Sequence, residues 1–280
     1  MTHRINNEKA RATKMYSDLD IIHKTFPHEW DHLNVYAIGD VHVGSPNFNE
    51  TAIHEKLRII KEDEYGVVCL CGDLGDFGLK NSKTNVYQAV MQPKDQIDYI
   101  YDLFKPIADK IVSAVPGNHE ERLVRECGID PLLTLCTLWR IEEVYRENVA
   151  ITKLAFGNVK GDHQQIVFYG ITTHGSTRNK HKKFISGFDG IDFAISGHTH
   201  TPEYSPHGKI RIDRNSGTAN HVGYKEIVVD ANLSPGGYGL KHEYEICPPP
   251  ELQYLELRAY RDNDRNRTLT RVMNYHTVQI

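Results

Sequence analysis

The sequence has no long hydrophobic run and few cysteines. No apolar segment approaches the roughly 18 residues that a membrane-spanning helix needs, and the first residues, MTHRINNEKARATK, lack the apolar stretch of a secretion signal. We therefore expect a cytoplasmic protein with no membrane partner. Five cysteines without a CxxC pair argue against a disulfide framework and against a zinc ribbon. Reduced, buried thiols are the simpler interpretation.

The chain also lacks a large excess of charge of either sign. Its 280 residues include 33 basic and 37 acidic side chains, which gives a formal charge of −4. No overall positive field therefore attracts nucleic acid or a membrane surface, although local patches can still do so. Hydrophobic residues make up 39% and charged residues 25% of the chain, as is typical of a globular protein.

Residues 1–34 are predicted to form an N-terminal helical arm. Met15, Leu19 and Ile22 recur at the spacing that places side chains on one face of a helix. A helix packed on its own domain is the simplest interpretation, and a docking arm, a dimer contact or a DNA-binding appendage are the alternatives. The remainder, residues 35–280, is predicted to form one domain.

Five short apolar segments end in Gly, Asp, Asn or His, and this pattern predicts buried strands. They are VYAIGD (35–40), VVCLCGD (67–73), IVSAVPGN (111–118), VFYGITTHG (167–175) and FAISGHTH (193–200).

Helical patterns separate the first three of these strands. One helix is predicted to begin after Asn49 with Ile53 and Leu57 on its apolar face, a second to end near Pro106, and a third segment to span residues 121–146. Alternating strands and helices predict parallel βαβ units. Residues 201–280 are rich in β-type segments, and we expect them to form a second, mostly antiparallel sheet packed on the first.

Metal-binding residue types follow all five predicted strands. Because ligands collect at the carboxyl ends of parallel strands, we expect these side chains to meet at one rim. Asp40 and His42, and likewise His198 and His200, are two residues apart, so an extended segment would point each pair in one direction. The second pair could serve one ion or straddle two. Oxygen and imidazole ligands without thiolate suit Mn²⁺, Fe or Zn²⁺.

The same residues carry a family resemblance. GDVH (39–42), GDLGD (72–76), GNHE (117–120), HG (174–175) and GHTH (197–200) occur in the order of the five motifs of the calcineurin-like metallophosphoesterases. The chain resembles this superfamily over about residues 35 to 202. The resemblance implies an α/β fold in which a two-sheet β-sandwich is flanked by helices, in four layers αββα.

The resemblance also implies roles for individual residues. One metal ion would be held by Asp40, His42 and His200. The other would be held by Asn118, His174 and His198, with Asp73 bridging both. His119 would face the leaving group as a general acid, and Asp76 would orient it. The implied activity is a dinuclear-metal-dependent phosphoesterase that hydrolyses phosphodiester bonds through a metal-activated hydroxide, with Mn²⁺ as the expected metal.

One departure from the family bears on the substrate. The protein Ser/Thr phosphatases of this superfamily continue the second motif as Asp-Arg-Gly and place Arg before GNHE, whereas here Phe77 follows Asp76 and Pro116 precedes Gly117. The two arginines that grip phosphate in those enzymes are missing from these positions. Phosphoprotein phosphatase activity is therefore not expected.

A basic segment follows the predicted ligand His174. Its charged side chains are Arg178, Lys180, Lys182 and Lys183. Such a run is often only a solvated face, but its position next to the rim favours contact with a polyanion. The C-terminal part adds arginines, including Arg258 and Arg271. Four aromatic residues could stack on bases; they are Tyr169, Phe184, Phe188 and Tyr204.

These features favour a DNA or RNA nuclease. The alternative is a phosphodiesterase or phosphatase that acts on a small nucleotide, such as a cyclic nucleotide. A catalytically silent scaffold is a third hypothesis, which the complete set of ligand-type residues argues against.

Overall fold

Two β-sheets pack face to face, and helices cover their outer faces. The computed structural model describes residues 17–79, 89–158, 165–236, 249–261 and 269–280. The strands are β1 (Ile22–Thr25), β2 (His32–Ile38), β3 (Gly66–Leu70), β4 (Ile111–Ala114), β5 (Val149–Phe156), β6 (Ile166–Thr173), β7 (Phe193–Ser196), β8 (Glu203–Asp213), β9 (Thr218–Val228), β10 (Glu251–Arg261) and β11 (Leu269–Gln279). The helices are α1 (Glu50–Glu62), α2 (Pro93–Phe104), α3 (Asn118–Cys127), α4 (Pro131–Trp139) and α5 (Arg178–Ser186), with 3₁₀ turns at Lys105–Lys110 and Glu142–Val144.

The five-stranded sheet contains the predicted βαβ units. Its order is β11-β10-β2-β3-β4, and β2, β3 and β4 run parallel. The Asn49 side chain accepts a hydrogen bond from the Ala52 N–H and so caps α1, as predicted. Ile53, Leu57 and Ile60 of this helix are buried, which confirms the apolar face.

The six-stranded sheet has the order β1-β5-β6-β7-β9-β8. It mixes parallel pairs, such as β6 with β7, with the antiparallel hairpin β8–β9. The prediction that the β-rich tail forms its own sheet is therefore wrong. The β8–β9 hairpin extends this sheet, whereas β10 pairs with β2 and extends the other one, because each sheet has an edge whose backbone groups need partners.

Three apolar clusters define the layers. Leu33, Val67 and Val112 of one sheet contact Phe156 and Phe168 of the other in the central core. A second cluster joins the outer face of the five-stranded sheet to α1, α2 and α4. A third, smaller cluster includes Ile185 of α5 and covers the outer face of the six-stranded sheet. Two sheets lie between helices, so the predicted fold class is confirmed.

The prediction of an N-terminal helical arm is wrong for residues 17–34, the part of that segment that the structure describes. Ile22, expected on a helix face, lies in β1, which pairs in parallel with β5. Asp20 anchors this segment because its carbonyl oxygen accepts hydrogen bonds from the Arg146 guanidinium at 3.1 and 2.9 Å. Burial of Ile22 against the sandwich and pairing at a sheet edge outweigh the local helical spacing. Residues 1–16 lie outside the described residues.

The cysteines of the described residues are unpaired. Cys69, Cys71 and Cys136 are buried, whereas Cys127 at the end of α3 is exposed. The expectation of buried thiols is therefore wrong for Cys127. Cys247 lies outside the described residues. No helix in the described part of the chain is long and apolar enough to cross a membrane.

Candidate metal centre

The carboxyl ends of five strands meet at one rim of the sandwich. β2, β3 and β4 contribute from one sheet, and β6 and β7 contribute from the other. The sequence predicted one shared rim, but it placed all five strands in a single sheet, and that part of the prediction is wrong. Ligand-type side chains follow these strands in sequence; they are Asp40, His42, Asp73, Asn118, His174, His198 and His200. The pairing of β2 with β3 and of β6 with β7 in parallel places these loops on the same side.

One group joins both sheets through Asp40, His42 and His200. Their nearest ligand atoms all lie within 4.8 Å of one another. The Nε2 atoms of His42 and His200 are 3.0 Å apart, and Asp40 Oδ1 lies 3.4 Å from His200 Nε2. Asp40 is fully buried. This group matches the first ligand set that the family resemblance implies.

A second group is formed by Asp73, His174 and His198, with Asn118 among them. His174 Nε2 lies 3.1 Å from His198 Nδ1 and 3.4 Å from Asp73 Oδ2. Asn118 Oδ1 is 3.0 Å from His174 Nε2 and 2.9 Å from His198 Nδ1. His198 and His200 therefore belong to different groups, which favours the alternative in which this pair straddles two ions.

Five of the candidate ligand residues have a left-handed backbone conformation. Asp40, His42, Asp73, His198 and His200 have φ angles of 48°, 54°, 52°, 75° and 58°. The sequence argument assumed extended segments in which residues i and i+2 point the same way, and this assumption is wrong. Non-glycine residues adopt this region rarely and at a cost, and such strain concentrates at functional sites.

The donor atoms of the rim fit divalent cations. Asp40 Oδ1 is buried and has no hydrogen-bond partner in the described structure, which is costly for a carboxylate oxygen. His174 Nδ1 lies 2.8 Å from the Cys71 carbonyl oxygen and donates its proton there. In the neutral ring that a metal ligand requires, the lone pair of His174 Nε2 then faces the acceptor Asn118 Oδ1. A cation between such convergent acceptors satisfies them together.

His119 lies beside the two groups at the start of α3. Its Nδ1 is 2.7 Å from the carbonyl oxygen of Asp76 and 3.4 Å from the Asp76 carboxylate. The sequence assigned the orienting role to the carboxylate, but the closer acceptor is the main-chain carbonyl of the same residue. Nδ1 therefore carries a proton, and Nε2 accepts a hydrogen bond from Arg122 Nη2 at 2.9 Å.

The pKa values of His42 and His119 are shifted in opposite directions. Burial, together with the charge of His119, holds the pKa of His42 well below its usual range, which keeps the ring neutral, as a metal ligand must be. Burial also tends to lower the pKa of His119. The interaction with the Asp76 carboxylate and the charge of Asp73 outweigh it, so the pKa of His119 is raised.

Two functional residues were missed by sequence reasoning. Arg122 contacts both His119 and the carbonyl oxygen of Asp76, the latter at 3.2 Å. Glu120 is buried, and its carboxylate accepts hydrogen bonds from the N–H groups of Asp73, Leu74 and Gly117, each at 2.8 Å. For Arg122 the available signal was its spacing of four residues from Asn118, since residues i and i+4 share a helix face. For Glu120 it was the place at the end of the GNHE motif.

The basic segment forms α5, which begins four residues after His174. Lys180 and Lys183 are exposed, whereas Lys182 Nζ lies 3.3 Å from Glu203 Oε1. The side chain of Arg178 lies outside the described residues. Phe184 on the same helix is 47% exposed and contacts Phe188 edge to face. Tyr169 is only partly buried, and Tyr204 stacks on Tyr275.

Two of the C-terminal arginines, Arg258 and Arg271, lie away from the rim. Arg258 pairs in register with His32, at the start of β2 rather than at its carboxyl end. Arg271 donates a hydrogen bond to the carbonyl oxygen of Val167, near the start of β6. Arg265 and Arg267, which belong to the same basic segment of sequence, lie outside the described residues.

Comparison with known proteins identifies the family. The family model described as calcineurin-like phosphoesterase matches residues 33–202, more than half of the chain. No curated protein matches the sequence.

Several solved structures are weakly similar to this chain, with TM-scores below 0.5. A Vps29 double mutant from Entamoeba histolytica is 14% identical with a TM-score of 0.42, covering 89% of this chain and 99% of that one. A predicted phosphoesterase from Streptococcus pneumoniae is 11% identical with a TM-score of 0.37, over 88% and 99%. GAP50, the anchor in the inner membrane complex of Plasmodium, is 10% identical with a TM-score of 0.40, over 90% of each chain. These similarities concern the fold alone. On the match of the family model, the chain belongs to the calcineurin-like phosphoesterase family.

Proposed function

We propose that this protein is a phosphodiesterase that uses two divalent metal ions to cleave DNA or RNA. The observation that carries the proposal is the convergence of two ligand groups on one rim, where the buried Asp40 Oδ1 lies between imidazoles and has no hydrogen-bond partner in the described structure. We propose Mn²⁺ as the metal, because the donors are carboxylate, amide oxygen and imidazole without thiolate; Fe and Zn²⁺ accept the same donors.

The residues divide by role. Asp40, His42 and His200 would hold one ion, Asn118, His174 and His198 would hold the other, and Asp73 would contact both. When bound, such ions supply Lewis acidity and lower the pKa of a coordinated water. His119 keeps one proton on Nδ1 at the Asp76 carbonyl and points Nε2 toward Asp73, at 3.8 Å from Oδ2. This position suits proton transfer to a leaving oxygen only after Nε2 has gained a proton and the Arg122 guanidinium has turned from Nε2 to another acceptor.

The position of α5 favours nucleic acid as the substrate. The helix starts close to His174 in sequence and carries Lys180 and Lys183 on its exposed surface, next to the exposed ring of Phe184. Exposed lysines contact successive phosphates, and an exposed aromatic ring stacks on bases. A small nucleotide would need the rim but not this helix.

The first experiment compares substrates of the Mn²⁺-loaded protein. We expect cleavage of single-stranded or duplex DNA or of RNA, and of bis-p-nitrophenyl phosphate. Salt should inhibit oligonucleotide cleavage steeply and the chromogenic diester only weakly, because only the polymer releases counterions on binding. Faster turnover of 2′,3′- or 3′,5′-cyclic nucleotides than of oligonucleotides would instead identify a small-molecule phosphodiesterase. Bound metal with no turnover of any ester would indicate a scaffold.

The second experiment removes the charges of α5. Lys180→Gln/Lys183→Gln should raise the KM for oligonucleotides about tenfold and leave bis-p-nitrophenyl phosphate unchanged, because each lost phosphate contact weakens only polymer binding. Lys61→Gln/Lys105→Gln is the matched control, since both lysines are exposed and lie near the other end of the sheet. Equal effects of the two double variants would contradict a specific role for α5.

A further inference from the structure

Arg122 occupies the side of the rim where His119 lies. It is on α3, four residues after Asn118, so the two side chains share one face of the helix. Its Nη2 lies 2.9 Å from His119 Nε2, and its Nη1 lies 3.2 Å from the Asp76 carbonyl oxygen. The side chain is only partly exposed. A guanidinium is thus fixed beside the imidazole that faces the reacting group.

The positive charge of Arg122 is placed where it can attract an anion in the cleft formed by the candidate ligands. Four buried carboxylates lie at or beside the ligand groups, namely Asp40, Asp73, Asp76 and Glu120, and two divalent cations would about neutralise them. Arg122 adds a fixed positive charge to the same cleft. Arginine binds two oxygens of one phosphate with a planar fork, and a partly desolvated arginine does so more strongly than one in bulk water.

We propose that Arg122 is a phosphate-binding residue, which contacts the nonbridging oxygens of the bound phosphoester on the side of His119. The inference rests on the proposed function. It also explains a departure noted in the sequence, where Phe77 and Pro116 stand at the positions that carry phosphate-gripping arginines in the protein phosphatases. Here the arginine comes from the helix that follows the third motif.

The competing role is purely structural. In that case Arg122 would only hold His119 in place by its hydrogen bond to Nε2. The two roles differ in their effect on a ligand that has no leaving group. Inorganic phosphate needs no proton from His119, so its affinity reports the contact with the guanidinium and not the orientation of the imidazole.

The test measures inorganic phosphate binding to the Mn²⁺-loaded protein by calorimetry. Arg122→Gln keeps an N–H donor but removes the charge, and we expect phosphate to bind ten- to a hundredfold more weakly, the range for losing a charged hydrogen bond. Arg122→Lys keeps the charge without the fork and should lie between this variant and the wild type. Arg125→Gln is the matched control on the same helix, where the side chain is exposed and pairs with Glu121; it should change affinity less than twofold.

The outcomes separate this inference from the proposed function. Phosphate affinity of Arg122→Gln and Arg122→Lys within twofold of the wild type, at equal Mn²⁺ content, would overturn the phosphate-binding role. Wild-type protein that binds phosphate but hydrolyses no phosphodiester would refute the proposed function, while the comparison of variants would still decide the role of Arg122. The KM for bis-p-nitrophenyl phosphate should rise in parallel with the phosphate dissociation constant.

Discussion

At the scale of single residues, Glu120 connects the loops that carry the metal-ligand candidates. One of its oxygens accepts from the N–H groups of Asp73 and Gly117, and the other accepts from Leu74. Burial, followed by the charge of Asp73, raises the pKa of Glu120 to about 7, so the carboxyl is ionised at pH 8. The loop after β3 is thereby fixed to the first turn of α3.

Glu120→Gln should destabilise the protein by about 3 kcal/mol at pH 8. The amide NH₂ group that replaces one carboxylate oxygen cannot accept a hydrogen bond, so the buried N–H groups that donated to that oxygen lose their acceptor. Urea unfolding monitored by circular dichroism measures the free energy of unfolding. Glu121→Gln is the control, because Glu121 is exposed and pairs with Arg125 on the surface of the same helix; it should cost under about 0.5 kcal/mol. Equal stability of the two variants would show that the contacts of Glu120 contribute nothing net.

His119→Ala should keep the bound metal and lose turnover. A general acid typically contributes about 10² to 10⁴ in rate, and the loss should be largest for alkyl leaving groups and smallest for p-nitrophenolate, which needs no proton. Mn²⁺ content by elemental analysis and kcat on a series of esters measure both effects. An equal loss across the series would contradict the role of proton donor.

At the scale of elements, the close packing of β6 against β7 positions two of the candidate ligand loops. Gly170 of β6 pairs with Phe193 of β7, and a Cβ added at Gly170 would lie 2.1 Å from the Phe193 ring. Phe193 is buried in the central core and has little room to move. His174 and His198 follow these two strands, so their separation depends on this pair.

Gly170→Ala should therefore destabilise the protein by about 1–3 kcal/mol, as overpacking does. Phe193→Leu makes room for the added methyl group, so the double variant should lose less stability than the two single variants together. Denaturant unfolding of all four proteins gives the coupling energy. If the losses of unfolding free energy in the two single variants add up to the loss in the double variant, the Phe193 ring and Gly170 do not constrain each other.

At the scale of the whole molecule, the candidate metal groups connect the two sheets. Asp40 and His42 follow a strand of the five-stranded sheet, whereas His200 follows a strand of the six-stranded sheet. The second group likewise joins Asp73 to His174 and His198. An ion held by either group would bind only when the sandwich is assembled, so metal affinity adds to folding stability.

Chelation should therefore lower the thermal midpoint, and Mn²⁺ should restore it. Metal at about a hundred times its dissociation constant adds about 2.7 kcal/mol, which corresponds to a rise of roughly 5–10 °C for a chain of this size. Differential scanning calorimetry with and without Mn²⁺ measures the shift. Asp73→Asn is the control and should show a much smaller rise, since it removes a buried anionic ligand candidate. A midpoint independent of Mn²⁺ in the wild type would contradict a metal centre that spans the sheets.

Local patterns predicted the parallel strands and the helices between them, because apolar runs and capping residues act over a few neighbours. Asn49 caps α1 as expected, and the strands that precede the motifs are where the sequence places them. Pairing between distant segments was not predictable in this way. The N-terminal spacing indicated a helix, but Ile22 lies in a strand that pairs with a partner about 130 residues away.

The sequence by itself determined which residue types stand after each strand, and with them the family and the candidate ligands. Only the tertiary structure decided which of those side chains lie close together and that left-handed backbone rather than extended segments directs them. It also decided that Arg122 and Glu120 contact residues of the rim. The reason is physical. A motif records neighbours along the chain, whereas the geometry of a metal centre depends on how two sheets pack and on backbone conformations that buried contacts impose.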